Sequence, residues 1–225
     1  MSTFADDLVA YYSCDSEYDL WDRFKVTLTG VSVSPGTGIV GDSWDFGVFT
    51  PKATPIVSIP NPSGVFTISL WFKGLNSGNK TAISLASNHS PLRIASGGTD
   101  LGVRDGSGFT GCGYDPSPLI GATEWHHLAV RADGTGTYQY VVDGAFVGSV
   151  TLGAGLTGDF LQIGNLVTGS KKFADNLDEI IIWSRPLTVG EIKTIYDAQA
   201  AGNSFKRLLE PQFAMPGSGG ATEWV

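Results

Sequence analysis

A chain of 225 residues with 42% hydrophobic and 16% charged residues can bury one large core and carries too little charge for a disordered polymer. Thirty glycines and eleven prolines are scattered along it, which points to many tight turns. The net charge of −8 argues against a dedicated nucleic-acid binder, which needs a basic face to displace counterions from phosphate; neutral sugars, protein partners and divalent cations stay open.

The first residues, MSTFADDLVAYYSCD, carry two Asp where a leader peptide has basic residues, and lack the apolar run of about 7–15 residues such a leader needs. No stretch reaches about 18 uninterrupted apolar residues, so membrane insertion is not expected. The expectation is a protein made in the cytoplasm without a signal peptide. Short runs rich in β-branched and aromatic residues then recur at 8–14, 39–46, 65–73, 81–87, 101–105, 125–132, 136–144, 145–150, 160–164 and 177–183. Turn residues bound each run, which predicts strands. In 65–73, Phe66, Ile68, Leu70 and Phe72 share a predicted core face, opposite the half-polar set Thr67, Ser69, Trp71 and Lys73. In 125–132, His126, Leu128 and Val130 alternate with Trp125, His127, Ala129 and Arg131, and His126 is expected to be a buried, hydrogen-bonded packing residue. Asp143-Gly144 between apolar runs is the two-residue hairpin signal, which favours an antiparallel sandwich over a βαβ architecture.

One helix is predicted. Pro186 ends the last strand, Thr188 stands at capping-box spacing from Glu191, and Ile192, Ile195 and Tyr196 share a face before Gly202. So short a helix is marginal alone and is expected to dock over a sheet margin. The composition changes after Gly202. The chain therefore reads as one domain over 4–202 and an extension over 203–225, where Phe205, Lys206, Arg207, Leu208, Phe213 and Trp224 are candidate contacts to other subunits of a larger assembly. Cys14 and Cys112 lack zinc-site spacing and read as reduced thiols, and His89 reads as a solvated loop residue.

Five segments together carry a family resemblance: LVAYYSCD…YDLWD, GVSVSPGTGIVGDSWDFG, FTISLWFK, WHHLAVR and LDEIIIWSRPLTVGEIKTIYDA. In this order, over residues 8–198, they resemble the laminin-G-like, concanavalin-A-like jelly-roll superfamily in its bacterial and phage branch. The resemblance implies an all-β, antiparallel two-sheet β-sandwich with one short C-terminal α-helix. It also implies neighbouring first and last strands with a calcium ion close to them. Asp15, Asp19, Asp22 and Asp178 are the candidate calcium ligands, since calcium takes about 6–8 oxygens drawn from several segments. Arg23 is a rival that could neutralise a carboxylate in place of the ion.

The fold leaves function open, because the superfamily holds lectins, adhesion modules, glycanases and virion parts. Related glucanases carry Glu-x-Asp-x-x-Glu on one strand face, which this sequence lacks; adjacent Asp178 and Glu179 are expected on opposite faces, so no enzyme is expected. For sugar recognition, Trp71, Tyr114, Tyr138 and Tyr140 are the candidate stacking rings, with Tyr114 in GCGYDPSP the most exposed; each also suits core packing. The expected function is a non-catalytic, surface-displayed component of a larger particle such as a phage virion, with glycan attachment as an added role. The alternative is a stand-alone or secreted calcium-dependent, lectin-like carbohydrate-binding module.

Overall fold

The computed structural model describes residues 4–21, 23–47, 54–61, 63–85, 89–165 and 171–209. These form two antiparallel sheets packed face to face. The eight-stranded sheet holds β1 (Leu8–Tyr12), β3 (Ser32–Ser34), β4 (Ser43–Asp45), β6 (Val65–Leu75), β11 (His126–Asp133), β12 (Thr137–Val142), β13 (Ala145–Thr151) and β15 (Ala174–Trp183). Its order is β13-β12-β11-β6-β15-β4-β3, with β1 paired to β15. The seven-stranded sheet holds β2 (Thr27–Thr29), β5 (Thr54–Ile59), β7 (Lys80–Leu85), β8 (Ser90–Ile94), β9 (Leu101–Arg104), β10 (Phe109–Gly111) and β14 (Phe160–Ile163), in the order β10-β9-β8-β7-β14-β5-β2. The expected two-sheet sandwich is the observed fold, and its first and last strands are neighbours.

The predicted core face of β6 fills the space between the sheets. Phe66, Ile68, Leu70 and Phe72 meet Leu128 and Val130 of β11 and oppose Ile83, Leu85, Leu92, Ile94 and Phe160. The strands beyond the sequence reading are β2, β3, β5, β8 and β10. Three of them have only three residues, too few to show a period of two, and prolines interrupt β5 and β8. The hairpin signal is realised: Asp143 (φ 47) and Gly144 (φ 74) both lie in the left-handed region, as a two-residue reversal with the right twist requires.

The helix α1 (Val189–Ala200) starts at Thr188, whose side chain accepts from the Glu191 amide while the Glu191 carboxylate accepts from the Thr188 amide. It lies over the outer face of the eight-stranded sheet rather than a margin. Ile192 and Ile195, with Leu187, cover Ala129, Val141, Ile181 and Trp183 in a second apolar cluster. This corrects the half-polar reading of the outer β6 face: Thr67, Ser69 and Trp71 are buried there. It also exchanges the two histidines. His127 is the buried one, its Nε2 2.7 Å from Ser69 Oγ. His126 is half-buried at the strand start, with Nδ1 2.9 Å from Asp143 Oδ2. The reason is that both faces of β11 are covered, one by the opposite sheet and one by the helix.

The second cluster continues past Gly202. Phe205 is fully buried and makes edge-on contacts with the rings of Phe4, Tyr11 and Trp183. Lys206 to Leu209 add one helical turn, α2 (Lys206–Leu209), with Lys206 and Arg207 exposed and Leu208 packed against the cluster. Phe205 is thus a core residue of this chain and not a free contact for another subunit; Phe213 and Trp224 lie outside the described residues. Both cysteines are free thiols. No helix among the described residues is long and apolar enough to cross a membrane.

Candidate functional site

The residues following β1 form a loop that the sequence folds on its own carboxylates. Asp19 Oδ1 accepts the backbone amides of Arg23 (2.6 Å) and Phe24 (2.8 Å), and the Leu20 amide returns to the Tyr11 carbonyl at 2.9 Å. Asp15 Oδ1 accepts the Asp42 amide at 2.9 Å from a tight turn, 38–41. Gly41 is needed in that turn: its φ is 74, and a Cβ there would meet Asp15 Oδ1 at 2.8 Å. The same turn aims the Val40 amide at Asp178 Oδ2, 3.1 Å away.

Glu179 lies on a bulge of β15 with φ 47. Asp178 stands opposite Trp71 in the register with β6, so it occupies the helix-covered face. Glu179 reaches that face as well: its carboxylate accepts from Tyr11 Oη (2.6 Å), Gln199 Nε2 (2.5 Å) and the Phe205 amide (3.0 Å). The two carboxyls therefore share a side, against the expectation for adjacent strand residues, because the bulge breaks the alternation. Burial, with the neighbouring Glu179 charge, pushes the Asp178 carboxyl up to about 8, and burial raises Glu179 too.

Between this loop, the 38–41 turn and the segment after Gly202 opens a cleft of about 290 Å³. Ser13, Asp15, Ser16, Asp19, Glu179 and Ser204 supply its polar groups, and Lys206 its one lining cation. Tyr18 lines it as well, with 45% of its surface exposed. Trp21, on the same loop, is also exposed, with the Arg23 guanidinium over its ring at 4.4 Å. Tyr18 and Trp21 escaped the sequence reading, where SEYDLWD registered only as an acidic cluster. The signal was the alternation of rings with carboxylates: Asp19 turns inward to hold the loop backbone, which leaves the neighbouring rings of Tyr18 and Trp21 outside.

The structure brings three expected residues, Asp15, Asp19 and Lys206, to one cleft, with Asp178 behind it. It does not make Asp15, Asp19 and Asp178 a calcium cage. Each spends an oxygen on backbone amides, and Arg23 Nε stands 3.9 Å from Asp19 Oδ2. Among the described residues no group of three or more His, Cys, Asp or Glu side chains could hold a metal ion, and Asp22 lies outside them. The described members of the expected set, Asp15, Asp19 and Asp178, do not fit calcium.

The expected stacking rings go elsewhere. Tyr138 and Tyr140 are fully buried between the sheets; the Tyr138 hydroxyl accepts the Leu156 amide (2.6 Å) and the Tyr140 hydroxyl donates to the Pro91 carbonyl (2.9 Å). Trp71 lies under α1, stacked on Tyr196 with centroids 5.4 Å apart, its Nε1 donating to Gln199 Oε1 at 2.7 Å. None of these three presents a ring face to solvent. Tyr114 is half-buried and packs on the core edge.

Comparison with solved structures finds the same sandwich in domain 4 of AbnA, an extracellular arabinanase from Geobacillus stearothermophilus solved with arabinotriose. The TM-score is 0.65 at 20% identity, covering 84% of this chain and 98% of that one. The binding domain of Paraclostridial Mosquitocidal Protein 1 gives 0.62 at 17% identity, and the binding domain of botulinum neurotoxin DC in complex with SialylT gives 0.61 at 15%. In both, 86% of this chain matches about half of the other, 52% of its length. At these identities the likeness establishes the fold. No curated protein matches the sequence. A family model does match, over residues 49–193, more than half of the chain: the protein belongs to the Laminin_G_3 family of the concanavalin A-like lectin/glucanases superfamily.

Proposed function

We propose that the chain is a non-catalytic carbohydrate-binding module and that the cleft beside Tyr18 holds one or two sugar units. The observation that carries the reading is the composition of this cleft: an exposed ring on the rim, with carboxylates and hydroxyls below it. A sugar needs that combination, because its C–H faces pack on an aromatic ring while its hydroxyls donate to carboxylates. A volume of about 290 Å³ matches the small end of ligand pockets. The arabinotriose and SialylT complexes of the structural neighbours support the same reading.

The non-catalytic part rests on how the buried acids are used. Glu179 accepts three hydrogen bonds, one each from β1, α1 and the segment after it, and Asp178 accepts the Val40 and Glu179 amides. Both are buried and committed to structural hydrogen bonds, unlike the paired carboxyls that flank a substrate in glycoside hydrolysis. The reading does not extend to a virion role: of the apolar residues expected to form an assembly arm, Phe205 belongs to this chain's own core, and Phe213 and Trp224 lie outside the described residues. The test is titration of arabino- and galacto-oligosaccharides into the protein, followed by calorimetry and by amide chemical shifts. Wild type is expected to bind with shifts around residues 13–20, and Tyr18→Ala to weaken binding about tenfold, the loss of one stacking contact. Shifts confined to other faces, or full affinity in Tyr18→Ala, would refute the cleft.

A further inference from the structure

The outer face of the seven-stranded sheet belongs to neither apolar cluster, yet its centre is buried and polar. Thr81 of β7 stands opposite Arg93 of β8, and Ser84 of β7 stands opposite Gln162 of β14. A register shift between Thr81 and Ile83 keeps Thr81 and Ser84 on the same side, while Ala82, Ile83 and Leu85 enter the core. All four side chains are more than nine-tenths buried. Each leaves a polar atom with no hydrogen-bond partner among the described residues: Thr81 Oγ1, Ser84 Oγ, Arg93 Nη1 and Gln162 Oε1. Native interiors rarely leave four such atoms orphaned, and here all four sit on three adjacent strands. Strands about 4.8 Å apart make the patch about 10 Å wide.

The charge on this patch is one-sided. Arg93 is 3% exposed, and its Nε donates to Asn79 Oδ1 at 2.7 Å, a neutral acceptor. No carboxylate among the described residues forms an ion pair with it or with Arg104, which lies two residues beyond its β9 partner Gly102 on the same face. Burial, with Arg104's like charge, pushes the Arg93 guanidinium down to about 10, so it stays cationic at neutral pH. In a chain of net charge −8, an uncompensated buried cation lacks a counter-charge that a ligand can bring. The face opens at its β5 side, where Ile56, opposite Gln162, is 47% exposed.

We propose that the outer face of β8, β7 and β14 is a second binding site, distinct from the cleft, for the acidic group of a saccharide: a carboxylate or sulfate held by Arg93 and flanked by Thr81, Ser84 and Gln162. The guanidinium fork matches a planar or tetrahedral oxyanion, and the hydroxyls and amide take the adjoining sugar hydroxyls. Glucuronic acid, glucose and sodium sulfate serve as probes, followed by calorimetry and amide shifts at low and at physiological salt. Glucuronic acid is expected to bind with shifts at residues 81–84, 90–94 and 162–163, to weaken as salt rises, and to lose at least tenfold in Arg93→Gln. Thr81→Val, which keeps the shape and exchanges the hydroxyl for a methyl, is expected to lose several-fold without a fall in Tm. Asp15→Asn, in the cleft, is expected to leave glucuronic acid binding unchanged, so this site and the cleft fail or stand separately. Sulfate binding lost in Arg93→Gln would show that the anion alone suffices; glucuronic acid binding without sulfate binding would show that the sugar is needed. No shifts at these residues with either anion, equal shifts there with glucose, or full affinity in Arg93→Gln would overturn the site.

Discussion

His127 is enclosed on every side by Ser69, Trp71, Tyr196 and its own strand, and burial pushes its imidazole down to about 4, with Asp143 opposing the shift. A ring kept neutral in the native state and free to take a proton near 6.5 when unfolded gives stability that is complete above about pH 6.5 and is lost as pH falls toward 4. Roughly 3 kcal/mol is at stake over that window. Chemical denaturation at pH 7 and pH 4.5 is expected to show this loss in wild type and a smaller one in His127→Gln; an equal slope in both would refute the assignment. Glu191 adds to the acid sensitivity, because the Arg185 guanidinium holds its carboxyl down at about 2, and its stabilisation fades as pH falls from about 4.5 through that value.

At the scale of elements, the helix and the segment after it behave as one lid on the eight-stranded sheet. The lid has two fastenings of different strength. The capping box is a local, half-exposed device, so Thr188→Ala is expected to cost about 1 kcal/mol. Phe205 is fully buried among three rings, and Phe205→Ala is expected to cost roughly 3–5 kcal/mol, through lost burial and the cavity left behind. Its amide also donates to Glu179, so loss of the ring should release the segment and expose 203–209 to protease, which Thr188→Ala should not. Equal protease resistance in the two variants would contradict this ranking. The helix was legible because a capping box and an apolar i, i+3, i+4 set are local; its dock, and the role of Phe205, were not, since the helix ring Tyr196 stacks on Trp71 of β6 and Phe205 packs on Tyr11 of β1, both more than a hundred residues away.

For the molecule as a whole, the first and last strands meet as the resemblance implied, yet the acids gathered there serve the loop backbone and the C-terminal segment. Calcium or a chelator is therefore expected to leave the melting temperature unchanged in differential scanning calorimetry; a rise of several degrees with calcium would restore the ion site. The two proposed sites lie on different sheets, one beside β1 and β15 and one on β7, β8 and β14, so the module would be able to grip a branched or extended glycan at two points.

Alternation with a period of two, turn glycines at fixed places and one capped helix are written in neighbouring residues, and they determined the antiparallel sandwich, the β6 core face and the single long helix. Which outer face is covered was decided only in three dimensions. A strand buried on both sides, such as β11, has no polar face to announce itself, so Trp71, Tyr138, Tyr140 and His127 could not be sorted into surface and core from spacing alone. The bulge at Glu179 set both acids on one side, and the pairing of Thr81 with Arg93 and Ser84 with Gln162 gathered polar atoms from segments up to about eighty residues apart. Local sequence sets the direction of each side chain relative to its own strand; long-range register and packing decide what that side chain meets.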